Sequence, residues 1–206
     1  MSSSLSGKLS IEIEAKSSAR SMYEANAKRL YDVPKLCPTY IPKVDLVEGK
    51  WEDVGAVVNF HLAHVVRGNL DFRKGKWNIF HLFGCLGSEV ILEIDSLIKG
   101  KTLISKEIYE HKDDEKLSVT FKVIGGLLME AFKSFKFIIQ ATRKDTGCLV
   151  RWTLEYEKLK EDVPDPKEML QFAVDLTKEM DANLIGHQDL YTFKKKKKKK
   201  KKSLIL

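Results

Sequence analysis

Apolar and polar side chains alternate strictly from Leu9 to Glu14, which predicts a β-strand that turns Leu9, Ile11 and Ile13 toward a core. Ser17 or Ser18 then offers an N-cap, and Ala19 to Tyr31 has helix-favouring composition that breaks before Pro34. Pro34, Pro38 and Pro42 keep any helices in the next stretch short. Val44 to Val47 reads as a short strand, and Glu48 to Gly55 as a loop with two glycines. Further strands are predicted at Glu89–Asp95, Thr102–Glu110, Lys116–Ile124, Met129–Thr142 and Cys148–Leu159. The segments between them, such as Lys99-Gly100-Lys101 and Lys144-Asp145-Thr146-Gly147, have hairpin-turn compositions. Pro164-Asp165-Pro166 ends the last strand, with Asp165 as a candidate N-cap and Pro166 at the first helical position. Met169, Phe172, Ala173, Leu176, Met180 and Leu184 then recur at three- and four-residue spacing, one apolar stripe on a helix of about five turns that Gly186 would stop. Strands grouped together, then one long helix, give an α+β fold with that helix packed on the sheet.

Period-2 phasing assigns the inner face of the sheet. Leu117, Val119, Phe121 and Val123 share it in one strand; Phe135, Phe137, Ile139 and Ala141 in the next; Val150, Trp152, Leu154 and Tyr156 in the last. Glu155 and Glu157 phase outward. An aromatic stripe of this kind is ordinarily core, and periodicity alone does not distinguish a filled interior from a hollow one. Adaptable methionines on the helix opposite large rings, and a Tyr156 hydroxyl that needs a partner inside, favour a hollow.

The formal charge of +7 comes from the tail: Lys194 to Lys202 is an unbroken run of nine lysines. Without it, 27 basic side chains face 29 acidic ones, a balance of −2. A nucleic-acid binder would cluster basic residues over its folded part, so no specific nucleic-acid partner is expected. No run of 18 apolar residues predicts a membrane span. The first residues lack the pattern of a secretory signal, so a cytoplasmic monomer is expected, with Cys37, Cys85 and Cys148 as reduced thiols.

Several segments resemble the major latex proteins, a branch of the plant Bet v I and pathogenesis-related superfamily. They are Leu5-Ser6-Gly7-Lys8-Leu9, Val47-Glu48-Gly49-Lys50-Trp51-Glu52, Ala131-Phe132-Lys133-Ser134-Phe135-Lys136, and above all Leu149 to Leu159 followed by Glu161-Asp162-Val163-Pro164. The resemblance implies a helix-grip fold over residues 5–186: a curved seven-stranded antiparallel sheet wrapped around a long C-terminal helix, with two short helices after the first strand. It also implies a non-catalytic carrier of small hydrophobic ligands (hormone-, sterol- or flavonoid-like) in an internal cavity, associated with plant defence and stress, with no cofactor. Affinity would come from buried apolar ligand surface at about 25 cal/mol per Å² before entropic losses. The ligand-contacting candidates are Phe121, Phe135, Phe137, Trp152, Tyr156, Met169, Phe172 and Met180. The alternative within the superfamily is a ribonuclease or a cavity-based condensing enzyme, although no nucleophile–base pair stands at a diagnostic spacing.

The chain departs from the family pattern in three places. The loop from Glu48 to Gly55 carries Glu48, Glu52 and Asp53, which disfavours phosphate. Ala56 to Gly87 reads as an irregular insertion, a retained intron or gene-prediction error. Its His61 and His64, three residues apart, lack the further ligands a metal site needs. Residues 187–206 read as a disordered lysine-rich tail, translated from an adenine-rich message end.

Overall fold

The computed structural model describes residues 5–63, 103–126 and 128–202, with side chains as far as Gly186. Among them, β1 (Ser6–Ala15) is followed by helix α1 (Ala19–Ala27), a 3₁₀ turn (Leu30–Asp32) and helix α2 (Val33–Leu36). Then come β2 (Lys43–Glu48), β3 (Val57–Leu62), β4 (Leu103–Asp113), β5 (Ser118–Gly126), a single helical turn (Leu128–Ala131), β6 (Phe132–Arg143) and β7 (Cys148–Lys158). The C-terminal helix runs from Lys167 to Lys202. The strands form one seven-stranded sheet in the order β1-β7-β6-β5-β4-β3-β2, and every neighbouring pair is antiparallel. This is the expected α+β helix-grip architecture.

The alternation of the sequence decides which face is inside. Leu117, Val119, Phe121 and Val123, then Phe135, Phe137, Ile139 and Ala141, then Val150, Trp152, Leu154 and Tyr156 are all buried. The intervening charges pair across the outer face, Lys8 with Glu155 and Lys133 with Glu157, both at 2.9 Å. Such exposed pairs are each worth at most about 1 kcal/mol. They keep that face wet while the apolar face collapses onto the helices.

α1 starts where Ser18 leaves the strand: its hydroxyl accepts a hydrogen bond from the Ser21 amide at 3.1 Å, the cap expected of serine there. The helix ends at Ala27, short of the expected Tyr31. Pro34 sits at the start of α2, where its missing N–H costs nothing. The C-terminal helix is tied across the sheet at defined points. The Asp181 carboxylate accepts from the Lys16 and Ser17 amides at 2.9 and 2.7 Å. The Asn183 amide donates to the Leu36 carbonyl at 2.9 Å, and the Thr39 amide donates to Glu179 at 3.2 Å.

Four expectations are corrected. Ala56–Gly87 does not begin as irregular chain, because Val57–Leu62 pairs with β2 on one side and β4 on the other. The strand expected at Glu89–Asp95 lies outside the described residues, as does most of the supposed insertion. Val57, Val58 and Phe60 are all buried, so the strand reads as an apolar run without clean alternation. Met129 to Ala131 is helical rather than the start of β6. Gly186 does not stop the last helix. A glycine costs an exposed helix about 1 kcal/mol relative to alanine, a penalty and not a barrier, and lysine beyond it has good helix propensity. The backbone of 187–202 is accordingly helical, not disordered. Finally, Asp165 uses its carboxylate on two side chains of β7, described next, in place of the expected helix cap.

Candidate functional site

The inner face of the sheet is a continuous field of rings. Register sets Tyr109 opposite Phe121 and Phe121 opposite Phe137, and places Phe135 opposite Tyr156. Ring centroids lie 5.0 Å apart for Tyr109–Phe121 and for Phe135–Phe137, 5.1 Å for Phe132–Phe135 and 6.3 Å for Phe137–Trp152, mostly edge-on or tilted. Aromatic quadrupoles prefer these arrangements, so the field is rigid as well as apolar.

Each polar tip in this field has a defined partner. The Trp152 indole N–H donates to Thr177 Oγ1 on the C-terminal helix at 2.9 Å, which fixes that helix over the middle of β7. The Tyr109 hydroxyl donates to the Ala27 carbonyl at 2.6 Å and closes the end of α1 against β4. The Tyr156 hydroxyl donates to Asp165 at 2.7 Å, and Lys158 pairs with the same oxygen at 2.7 Å. The Lys158 and Tyr156 bonds hold the Asp165 carboxyl below the usual aspartate range. Burial, reinforced by Asp165, pushes the Tyr156 phenol up. The tyrosine therefore stays a neutral donor at any physiological pH. Its ring also lies directly over Gly7, its cross-strand partner: a β-carbon there would come within 2.3 Å of the ring.

The eight ligand-contacting candidates all border this interior, yet they differ in depth. Phe135 is 0 % exposed and Met180 1 %, the two most deeply buried of the eight. Phe137, Trp152, Tyr156 and Phe121 keep 9, 6, 5 and 3 %. Met169 and Phe172 are partly buried and pack against the core near the start of the C-terminal helix. There Phe172 meets Tyr40 edge-on at 6.0 Å.

Period-2 phasing of β4 also puts Ser105 and Glu107 on the inner face with Tyr109, and all three are buried. These residues escaped the sequence reading. The Ser105 hydroxyl donates to Glu107 Oε1 at 2.8 Å. Burial pushes the Glu107 carboxyl up to about 7, with the Ser105 bond pulling weakly the other way. The signal that would have found it is the phase of Tyr109: a residue two positions from a large inward ring also points inward. Of the two neighbouring histidines weighed for metal, His61 pairs with Asp45 at 2.8 Å, and His64 lies outside the described residues. The described residues contain no group of three or more metal-ligating side chains.

The model of the Pathogenesis-related protein Bet v 1 family matches residues 4–79 and 86–187. The chain belongs to this family. Within it, the major latex protein branch is the nearer: MLP-like protein 43 of Arabidopsis thaliana is 34% identical over 90% of this chain and 98% of its own length. MLP-like protein 28 of the same plant is 34% identical over 91% of the chain, which spans 46% of that longer protein. A crystal structure of ginseng major latex-like protein 151 from Panax ginseng superposes with a TM-score of 0.66 at 31% identity, covering 86% of this chain and 97% of that one. Norcoclaurine synthase from Thalictrum flavum has a TM-score of 0.57 at 14% identity, covering 87% of each chain, and shares the fold alone. The Bet v 1 fold is one that binds hydrophobic ligands. Among the described residues, no helix of this member is long and apolar enough to cross a membrane.

Proposed function

We propose that this major latex-type protein is a non-catalytic carrier that holds a small hydrophobic molecule (hormone-, sterol- or flavonoid-like) between the sheet and the C-terminal helix, in the service of plant defence or stress. The observation that carries the reading is the ring field of β5, β6 and β7 facing a helix pinned at Thr177. It offers rigid apolar surface, and its polar tips are already satisfied. On this reading Phe121, Phe137, Trp152, Tyr156, Met169 and Phe172 touch the ligand, and Phe135 and Met180 stiffen the wall behind them. The carrier acts as a cytoplasmic monomer with no cofactor and no specific nucleic-acid partner.

The test is uptake of a fluorescent lipophile by wild type and by the Phe137→Ala/Tyr156→Ala double variant. Weakened uptake by a folded variant is expected; unchanged uptake overturns the assignment. One observation favours the rival enzymatic reading, namely the inward carboxyl of Glu107, poised near neutral pH as proton-transfer groups are. Its described polar partner is a serine hydroxyl and not a second titratable group, which suits recognition better than acid–base relay. RNA cleavage by protein lacking residues 194–206 would reverse that choice.

A further inference from the structure

The polar content of the interior says more about the guest than its rings do. Among the described residues, Glu107 is the one residue of a charged type that is buried as a whole, although Arg29 Nε and Glu179 Oε2 are buried as single atoms. It is 7 % exposed, and among the described residues Val58 stands opposite on β3, Val123 opposite on β5, and Tyr109 follows two residues along. Val58 and Val123 are each 1 % exposed.

Resting on the carrier reading, we propose that Glu107, oriented by Ser105, is the polar anchor of the site and selects lipophilic ligands that carry a protonated amine over neutral or anionic ones of the same shape. A carboxylate is an acceptor only, and the Ser105 hydroxyl occupies just part of its capacity. An isolated negative charge in apolar surroundings is strongly disfavoured, and a ligand ammonium at hydrogen-bond distance removes that penalty for both partners. A ligand carboxylate in the same place would meet like charge. Burial pushes the Glu107 carboxyl up by disfavouring its charged form, and a bound ammonium would act in the opposite direction by stabilising the carboxylate.

Three probes with one fluorophore test this on the full chain at pH 7 and physiological salt: dansylcadaverine, its neutral N-acetyl derivative, and 6-(dansylamino)hexanoic acid. Wild type should bind the amine about tenfold or more tightly than the N-acetyl probe, as a charge-assisted hydrogen bond provides. The acid should bind worst. Glu107→Gln should make the amine and N-acetyl affinities equal, removing the roughly tenfold preference of wild type. Ser105→Ala should reduce the amine preference without abolishing it. An amine preference that survives Glu107→Gln marks binding to surface carboxylates and overturns the proposal. Wild-type protein that binds the N-acetyl probe with no amine preference overturns it and leaves the carrier reading intact. Failure of wild type to bind even the N-acetyl probe overturns both.

Discussion

Phe135→Ala removes a ring from the centre of the wall. Phe135 is 0 % exposed, with Phe132 at 5.1 Å, Phe137 at 5.0 Å and Tyr156 at 6.2 Å between centroids. The rings around it are held from outside: Tyr156 by Asp165 and by its fit over Gly7, Phe137 by its position between Phe121 on β5 and Leu154 on β7. A wall held in this way relaxes little, so the vacated space persists and the cost falls in the range of about 3–5 kcal/mol for deleting a buried aromatic ring. That is a large share of the roughly 5–15 kcal/mol by which a domain is stable. At about 2–4 °C per kcal/mol for a domain of this size, the melting temperature should fall by roughly 6–20 °C. Circular dichroism melts and urea titrations of wild type and variant measure it. Phe137→Ala, at a position 9 % exposed, should cost less. A loss below about 1 kcal/mol for Phe135→Ala would refute the argument, because it would mean the ring already bordered empty space or a wall free to close.

Two further outcomes follow from the polar contacts. Trp152→Phe deletes the donor to Thr177 Oγ1 and should cost about 1–3 kcal/mol in urea titrations, less if Thr177 turns back to its own helix carbonyls. Glu107 retains its proton in the folded protein up to about 7, whereas the unfolded chain releases it near the ordinary glutamate value of 4.5. Between those pH values the native state binds more protons, so its contribution to stability is fully present below pH 4.5 and is lost as pH rises through 7, by up to about 3 kcal/mol. Glu107→Gln should remove that slope from a urea series at pH 5, 6, 7 and 8; an unchanged slope would place its origin elsewhere.

How much of this was legible in the sequence depended on water. β1, β5, β6 and β7 have one dry and one wet face, so Ile13, Phe121, Phe137 and Trp152 announced themselves by alternation. β3 has Val57, Val58 and Phe60 buried together, which erases the period and let the strand pass for irregular insertion. Glu107 was missed for a related reason. Pattern reading assigns charge to the outside, although the phase of Tyr109 two positions along already turns Glu107 inward, where it stands opposite Val123. The last helix passes Gly186 because glycine at an exposed helical position is a penalty of about 1 kcal/mol and not a stop. The pairing of Asp165 with Tyr156 and Lys158 is a contact between residues seven and nine apart whose geometry no local pattern encodes.

The β1–β7 ladder has a consequence for biosynthesis. Ser6 pairs with Glu157 and Ala15 with Cys148, so the first strand to leave the ribosome finds its partner only when the seventh appears. At about 5–20 residues per second, that leaves β1 unpaired for roughly 7–30 s. During that interval its alternating Leu9, Ile11 and Ile13 form an open template for intermolecular pairing, which makes this strand the segment on which chaperone protection of the nascent chain should matter most.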